Sequence, residues 1–182
     1  MVLLSLVGSA SAQELLLRLE PAATKAEIKL DATAHTVDGS FALKHGELHL
    51  DPRQNKVSGE IVFDATSGQT GNDRRDRKMH KEVLESGQYP EITFRPDKFD
   101  GKVALQGSST VQVHGLFVIH GFEKEITSTV QLDAAPDKWT GEAHFVIPYV
   151  DWGLKNPSTF LLRVGHSVAV DMHFVASVSR TQ

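Results

Sequence analysis

Alternation of apolar and polar residues with a period of two runs through most of the chain and limits what it can fold into. The segments 25–32, 57–64, 126–132 and 168–174 each place apolar side chains on one face. Because a strand points successive side chains to opposite faces, this pattern predicts half-buried strands. Further strands are predicted over 15–19, 38–50, 90–99, 109–120 and 141–148. Short turn sequences separate the segments, which indicates antiparallel neighbours.

The alternation changes parity once within a predicted strand. Phe41 and Leu43 are apolar at odd positions, whereas Leu48 and Leu50 are apolar at even ones. An uninterrupted strand would send the two pairs to opposite faces. A bulge or sharp bend near Gly46 would restore a common face. Long bent strands are what a closed barrel needs, so the chain is predicted to be mainly β, an antiparallel barrel of about eight strands.

One segment, near 72–86, has helical rather than strand character. Gly71 and Asn72 precede it as a cap, and acidic residues fill its first turn, where the helix dipole favours negative charge. The sequence therefore predicts one inserted α-helix. Residues at helical spacing share one of its faces, with Leu84 beside them: Asp76, Met79, His80 and Val83.

The N-terminus has the features of an export signal. Residues 1–7 are apolar, and Ala10-Ser11-Ala12 has the small-residue form of a cleavage site before Gln13. We expect 1–12 to be the end of a signal peptide whose basic start lies upstream. Residues 13–182 would then be one domain, periplasmic or secreted, with no lipid anchor.

Composition excludes several classes of protein. The 182 residues carry a formal net charge of −4, which gives no electrostatic reason to expect nucleic acid as a partner. There is no apolar run long enough for a transmembrane helix, and no cysteine for thiol chemistry. Nucleophile-elbow, zinc-protease and phosphate-loop motifs are all missing, so neither an enzyme nor a cofactor is predicted. A homodimer is compatible with this composition.

A barrel of about eight strands can be packed solid or can hold one small ligand. Alternation alone does not decide between these, because both kinds of barrel show it. The inward faces are rich in large apolar groups, including Phe41, Phe63, Phe94, Phe117 and Phe145.

Several motifs resemble the YceI-like family of polyisoprenoid-binding proteins. The segment 64–76 resembles that family's strand, T-G-N turn and R-D helix start, and Met79-His80 continues the helix. Residues 89–94 match the family's Y-P-x-I-x-F strand, and residues 113–121 are similar to its G-x-L-x-I-x-G hairpin. Trp152-Gly153-Leu154 stands where the family has F-G-L. The resemblance extends from about Leu19 to Ala176.

This resemblance implies a lipocalin-like barrel whose apolar cavity holds an isoprenoid or quinone-type lipid. The barrel interior, the helix face and a loop rim would then supply the ligand contacts. The predicted binding residues are Phe41, Ile61, Phe63, Asp76, Met79, His80, Val83, Leu84, Ile92, Phe94, Phe117, Ile119, Phe145, Ile147, Trp152 and Leu154. The alternative function is a ligand-free barrel with a stress-response or protein-interaction role.

The polar residues of the helix leave further alternatives. Asp73, Asp76 and His80 fall at metal-ligand spacing on one face, although capping by the acids is the simpler interpretation. Asp76 and His80 could also form an acid–base pair facing a cavity. We favour a structural interpretation, in which a hydrogen bond between them holds the helix on the barrel.

Overall fold

The computed structural model describes residues 14–33, 35–160 and 162–181, for Thr181 the backbone only. Within these residues nine strands follow one another, and a helical segment of more than one turn comes after the fourth. They are β1 (Glu14–Leu19), β2 (Lys25–Asp31), β3 (Thr36–Asp51), β4 (Lys56–Gln69), β5 (Glu91–Gly101), β6 (Gly107–Ile119), β7 (Phe122–Ala134), β8 (Lys138–Ile147) and β9 (Val168–Thr181). The predicted signal segment, 1–12, lies outside the described residues.

The strands close into an antiparallel barrel of eight strand positions. From β2 the hydrogen-bonded order runs β2-β9-β8-β7-β6-β5-β4-β3 and returns to β2. β1 and β2 share one of these positions, because each pairs with both β3 and β9, at opposite ends of the barrel. A single turn of 3₁₀ helix, Pro21–Ala23, separates them. The predicted mainly-β fold, an antiparallel barrel of about eight strands, is confirmed.

The parity change within β3 is produced by a β-bulge. Leu43 pairs with Phe63, but His45 pairs with Val62, so one extra residue lies on β3 at Lys44. Phe41 and Leu43 before the bulge and Leu50 after it are all buried. The predicted bulge is therefore confirmed, two residues before the glycine on which the prediction centred. Gly46 itself faces inward, where a Cβ would lie 3.1 Å from Leu19.

The inserted helix is shorter than predicted and changes character along its length. An α-helix, α1 (Asp73–Lys78), is followed by a π-helical turn, Met79–Val83. Asn72 is the N-cap, as expected, and its Oδ1 accepts a hydrogen bond of 3.0 Å from the Arg75 amide. The amide of Leu84 bonds to the carbonyl of Met79, five residues back, at 2.9 Å. The predicted helix near 72–86 is therefore confirmed as a shorter segment, in which α-helical hydrogen bonding gives way to this wider pattern after Lys78.

The core is the barrel interior, and it is filled unevenly. At the end of the barrel where the loop between β5 and β6 lies, the side chains of Phe99, Val111 and Trp139 are almost fully buried. At the other end α1 and the π-helical turn cover the opening. Within the described parts of the chain no helix has the length and apolar character needed to cross a membrane.

Candidate ligand-binding cavity

An apolar cavity of about 510 Å³ occupies the end of the barrel that the helical segment covers. Side chains from most strands point into it because their alternate positions face the barrel axis. The strand residues that line it are Ala26, Ile28, Leu30, Val37, Phe41, Phe63, Ile92, Phe117, Ile119, Phe145, Ile147, Val168, Val170 and Met172. This volume lies within the range of about 300–1,000 Å³ typical of small-molecule sites.

A second cavity, of about 120 Å³, lies deeper in the barrel. Apart from Ser128, all the side chains that line it are apolar. Five residues line both cavities and so form a partition between them: Phe63, Ile92, Phe117, Phe145 and Met172. The rings of Phe117 and Phe145 meet edge to face across this partition, with centroids 5.8 Å apart. An apolar chain that passed the partition would reach the second cavity.

The helical segment contributes an apolar cover to the larger cavity. Met79, Val83 and Leu84 line it from above. These residues stand at i, i+4 and i+5, and the five-residue hydrogen bonding of the π-helical turn brings positions five apart onto one face. The wider turn therefore directs all three side chains toward the barrel.

His80 fastens this cover to β4. Its Nε2 lies 2.8 Å from the carbonyl oxygen of Gly68, and its Nδ1 lies 2.9 Å from Oγ of the buried Ser86. A carbonyl can only accept, so Nε2 carries a proton and donates it to Gly68. Gly68 must be small, because a Cβ there would lie 2.5 Å from Phe41 and 2.9 Å from Met79.

Polar residues gather at one place, the mouth beside α1. Arg75 donates from Nε to Oγ1 of Thr70 and from Nη2 to its carbonyl oxygen, both at 2.7 Å. Asp76 accepts from the amide of Thr70 at 2.9 Å and from its hydroxyl. Lys78 donates to the carbonyl of Pro157 at 2.7 Å and so joins the helix to the loop after β8. Arg74, Arg75 and Lys78 line the cavity, whereas Asp76 does not.

The loop after β8 forms the other side of the mouth. Tyr149 is buried, lines the cavity and donates its hydroxyl to the carbonyl of Gly165 at 2.6 Å. Burial raises the pKa of this hydroxyl, so Tyr149 stays a neutral donor at physiological pH. Leu154 is buried and also lines the cavity, while Phe160 extends fully exposed from the loop.

The structure brings together most of the residues that the sequence predicts as ligand contacts. Those that line the larger cavity are Phe41, Phe63, Met79, Val83, Leu84, Ile92, Phe117, Ile119, Phe145, Ile147 and Leu154. Ile61 and Phe94 line only the deeper cavity, because they lie farther along β4 and β5 from the mouth.

Three predicted contacts, Asp76, His80 and Trp152, line neither cavity. Trp152 instead packs against the core, with its ring 5.9 Å from that of Phe117. The hydrogen bond expected between Asp76 and His80 is wrong, because each side chain finds its own partner, Thr70 or Gly68. His80 does hold the helix on the barrel, with both ring nitrogens engaged.

Sequence reasoning missed two sets of lining residues. The first set is aliphatic and includes Ile28 on β2 and Val170 on β9. The same alternation places these residues inward, but the predicted contacts on the strands were mainly aromatic. The second set is the basic residues of the mouth, which no sequence pattern marked as lining residues, because charged residues on a short helix usually face solvent.

The metal site considered for the helix is not formed. Among the described residues no three histidine or acidic side chains come together as a metal site, and this includes Asp73, Asp76 and His80.

Comparison with known proteins agrees with this architecture. The sequence profile of the YceI-like domain matches residues 17–176. No curated protein matches the chain. A polyisoprenoid binding domain from Saccharophagus degradans, implicated in plant cell wall breakdown, superposes with a TM-score of 0.71 at 17% identity, covering 90% of this chain and 98% of that domain.

Two further solved structures share the fold. BcnA from Burkholderia cenocepacia gives a TM-score of 0.71 at 16% identity, over 86% of this chain and 98% of BcnA. The YCEI protein from Campylobacter jejuni gives 0.65 at 17% identity, over 80% of this chain and 86% of that protein. At these identities the likeness concerns the fold.

Proposed function

This chain belongs to the YceI-like family, and from that membership together with the cavity we propose that it is a binding protein that holds an isoprenoid-type lipid inside its barrel. The observation that carries the proposal is the cavity of about 510 Å³, apolar within and polar only at its mouth. A polyprenyl or quinone tail offers little except apolar surface. Each methylene group moved from water into such an interior gains about 0.8 kcal/mol.

The related domain from Saccharophagus degradans is described as polyisoprenoid binding, which supports the same class of ligand here. The deeper cavity extends the apolar path beyond the partition. A binding role also agrees with the contacts of His80, because both of its ring nitrogens form hydrogen bonds that hold the helical segment in place.

Native mass spectrometry of the protein purified without detergent tests the proposal. We expect a mass surplus that disappears on denaturation and is recovered in the organic extract as an apolar chain. Protein that carries no such mass should bind farnesol or a fluorescent long-chain probe. If neither is found, the function is instead that of a ligand-free barrel with a protein-interaction or stress-response role.

We further propose that the protein works outside the cytoplasm, in the periplasm or secreted. The support is the small-residue pattern Ala10-Ser11-Ala12 ahead of Gln13. Mass spectrometry of the exported protein, expressed with its upstream sequence, should give Gln13 as the first residue. A mature protein that retains Met1 would contradict the proposal.

A further inference from the structure

The mouth of the larger cavity carries positive charge only. Arg74, Arg75 and Lys78 line it from α1, and no Asp or Glu among the described residues lines it with them. Asn72 and Thr70, which also line it, are neutral, and His35 is a further polar group of the lining. A cavity built only for neutral molecules has no need of three cations at its opening.

These cations form no direct ion pair within the described part of the chain. Among the described residues, no carboxylate oxygen lies within 4.0 Å of a charged nitrogen of Arg74, Arg75 or Lys78. Acidic groups nearby are engaged elsewhere or face away from the cavity. Asp76 accepts two hydrogen bonds from Thr70, and Glu82 pairs with Lys155 at 2.7 Å. Asp73 is exposed and lies outside the lining.

Two of the cations are held in position while keeping donors free. The bonds from Arg75 to Thr70 use Nε and Nη2, which leaves Nη1 without a protein partner of its own in the described structure. Lys78 uses one of its three N–H donors on Pro157. The guanidinium of Arg74, which is exposed, makes no hydrogen bond or ion pair within the described part of the chain. Fixed cations with spare donors recognise a carboxylate or phosphate oxygen without a large loss of side-chain freedom.

We propose that the ligand is an anionic amphiphile, whose carboxylate or phosphate head group binds Arg74, Arg75 and Lys78 while its apolar tail fills the barrel. This inference rests on the proposed lipid-binding function and adds the chemical class of the head group. Arg75 and Lys78 are half-buried. Their attraction for an anion is therefore screened less than that of a fully exposed pair.

Binding of four dodecyl probes to the purified protein, measured by isothermal titration calorimetry, tests the head group. Dodecanoate and dodecyl phosphate should bind at least about tenfold more tightly than dodecanol, since one charged contact is worth roughly that factor. Dodecylamine should bind most weakly. The preference for the anions should shrink when sodium chloride is raised from about 0.05 M to 0.5 M, because exposed charges are screened.

Variants assign the preference to these residues. Arg74→Gln and Lys78→Gln should each reduce the ratio of dodecanoate to dodecanol affinity by at least about threefold, and together abolish most of it. Arg77→Gln is the matched control, because Arg77 lies on the same helix but outside the cavity lining. Arg75 is not used, since its bonds to Thr70 also hold the mouth together. Melting temperatures show whether each variant remains folded.

The outcomes separate this inference from the function on which it rests. Equal affinity for dodecanol and dodecanoate overturns the anionic head group and leaves the lipid-binding proposal intact. If none of the four probes binds, the lipid-binding proposal itself fails. Inorganic phosphate that binds as tightly as dodecyl phosphate would identify an anion site independent of the tail, and would also overturn the inference. An Arg77→Gln effect equal to that of Arg74→Gln would show that only the overall charge of the helix matters, and would overturn the assignment of the head-group site to the lining residues.

Discussion

Filling the larger cavity from within should block ligand binding while preserving the barrel. Ile119, at the end of β6, is 7% exposed and lines the cavity beside Phe117 and Ile147. We expect Ile119→Trp to direct an indole ring into the space that the ligand would occupy. The substitution introduces no charge, so any loss of binding has a steric cause.

The expected loss of ligand affinity follows from the part of the ligand that the indole ring displaces. Overpacking a filled core costs about 1–3 kcal/mol, and the empty space in front of Ile119 should keep the cost near the lower limit. If the ring displaces about three methylene groups of the ligand, at about 0.8 kcal/mol each, the affinity falls by about 2.4 kcal/mol. That loss is about a fiftyfold increase in Kd.

Val118→Trp is the matched control. Val118 is the preceding residue of the same strand, so its side chain points to the opposite face, and it lines neither cavity. Native mass spectrometry and displacement of a fluorescent long-chain probe measure the retained and the added ligand. We expect Val118→Trp to bind as the wild type does. An Ile119→Trp protein that folds and carries wild-type amounts of lipid would refute the interior site at this position.

Three further changes test the elements around the cavity. Asp76→Asn should weaken the two hydrogen bonds from Thr70 and so lower the melting temperature. The set of retained lipids should not change, because the Asp76 side chain lies outside the cavity lining. Unchanged stability with weakened lipid retention would instead place Asp76 at the ligand head group. Val83→Pro, within the π-helical turn, removes an amide donor and should lower the free energy of unfolding, measured by denaturant titration, by about 3 kcal/mol or more. A much smaller decrease would mean that the helical cover contributes little to stability. Hydrogen bonds from the Thr66 hydroxyl and, to a smaller extent, its amide lower the pKa of Asp64, so the stability that this carboxylate provides is present above its unfolded pKa of about 4 and is lost as the pH falls further. Melting curves of Asp64→Asn should therefore depend less on pH below about 4 than those of the wild type, and equal slopes would contradict the assignment.

Much of the barrel could be predicted because its causes are local. The alternation in β2, β4 and β9 follows from strand geometry, which sends neighbouring side chains to opposite faces whatever the partner strand is. The bulge near Lys44 could be predicted for the same reason, since only an extra residue allows Phe41 and Leu50 to share a face. The cap at Asn72 depends on a hydrogen bond to Arg75, which is only three residues away in the chain.

The candidate site could be predicted only in part. Inward aromatic residues such as Phe63 and Phe117 were recognisable from the alternation, but their position along the barrel axis was not. That position depends on the register between strands, which decides that Phe94 lies beside the deeper cavity and Phe63 at the partition. The sequence likewise gave no means of choosing between a packed and a hollow interior.

Local sequence specified the strands, their inward faces and the capped start of the helix, because each depends on contacts between residues close together in the chain. Tertiary structure alone decided that β1 and β2 share one barrel position, that His80 bonds to Gly68 rather than to Asp76, and that Arg74 and Lys78 line the mouth. These features arise when segments far apart in the chain meet on closure of the barrel. The partners of a polar side chain depend on which groups closure brings within about 3 Å, and no local periodicity carries that information.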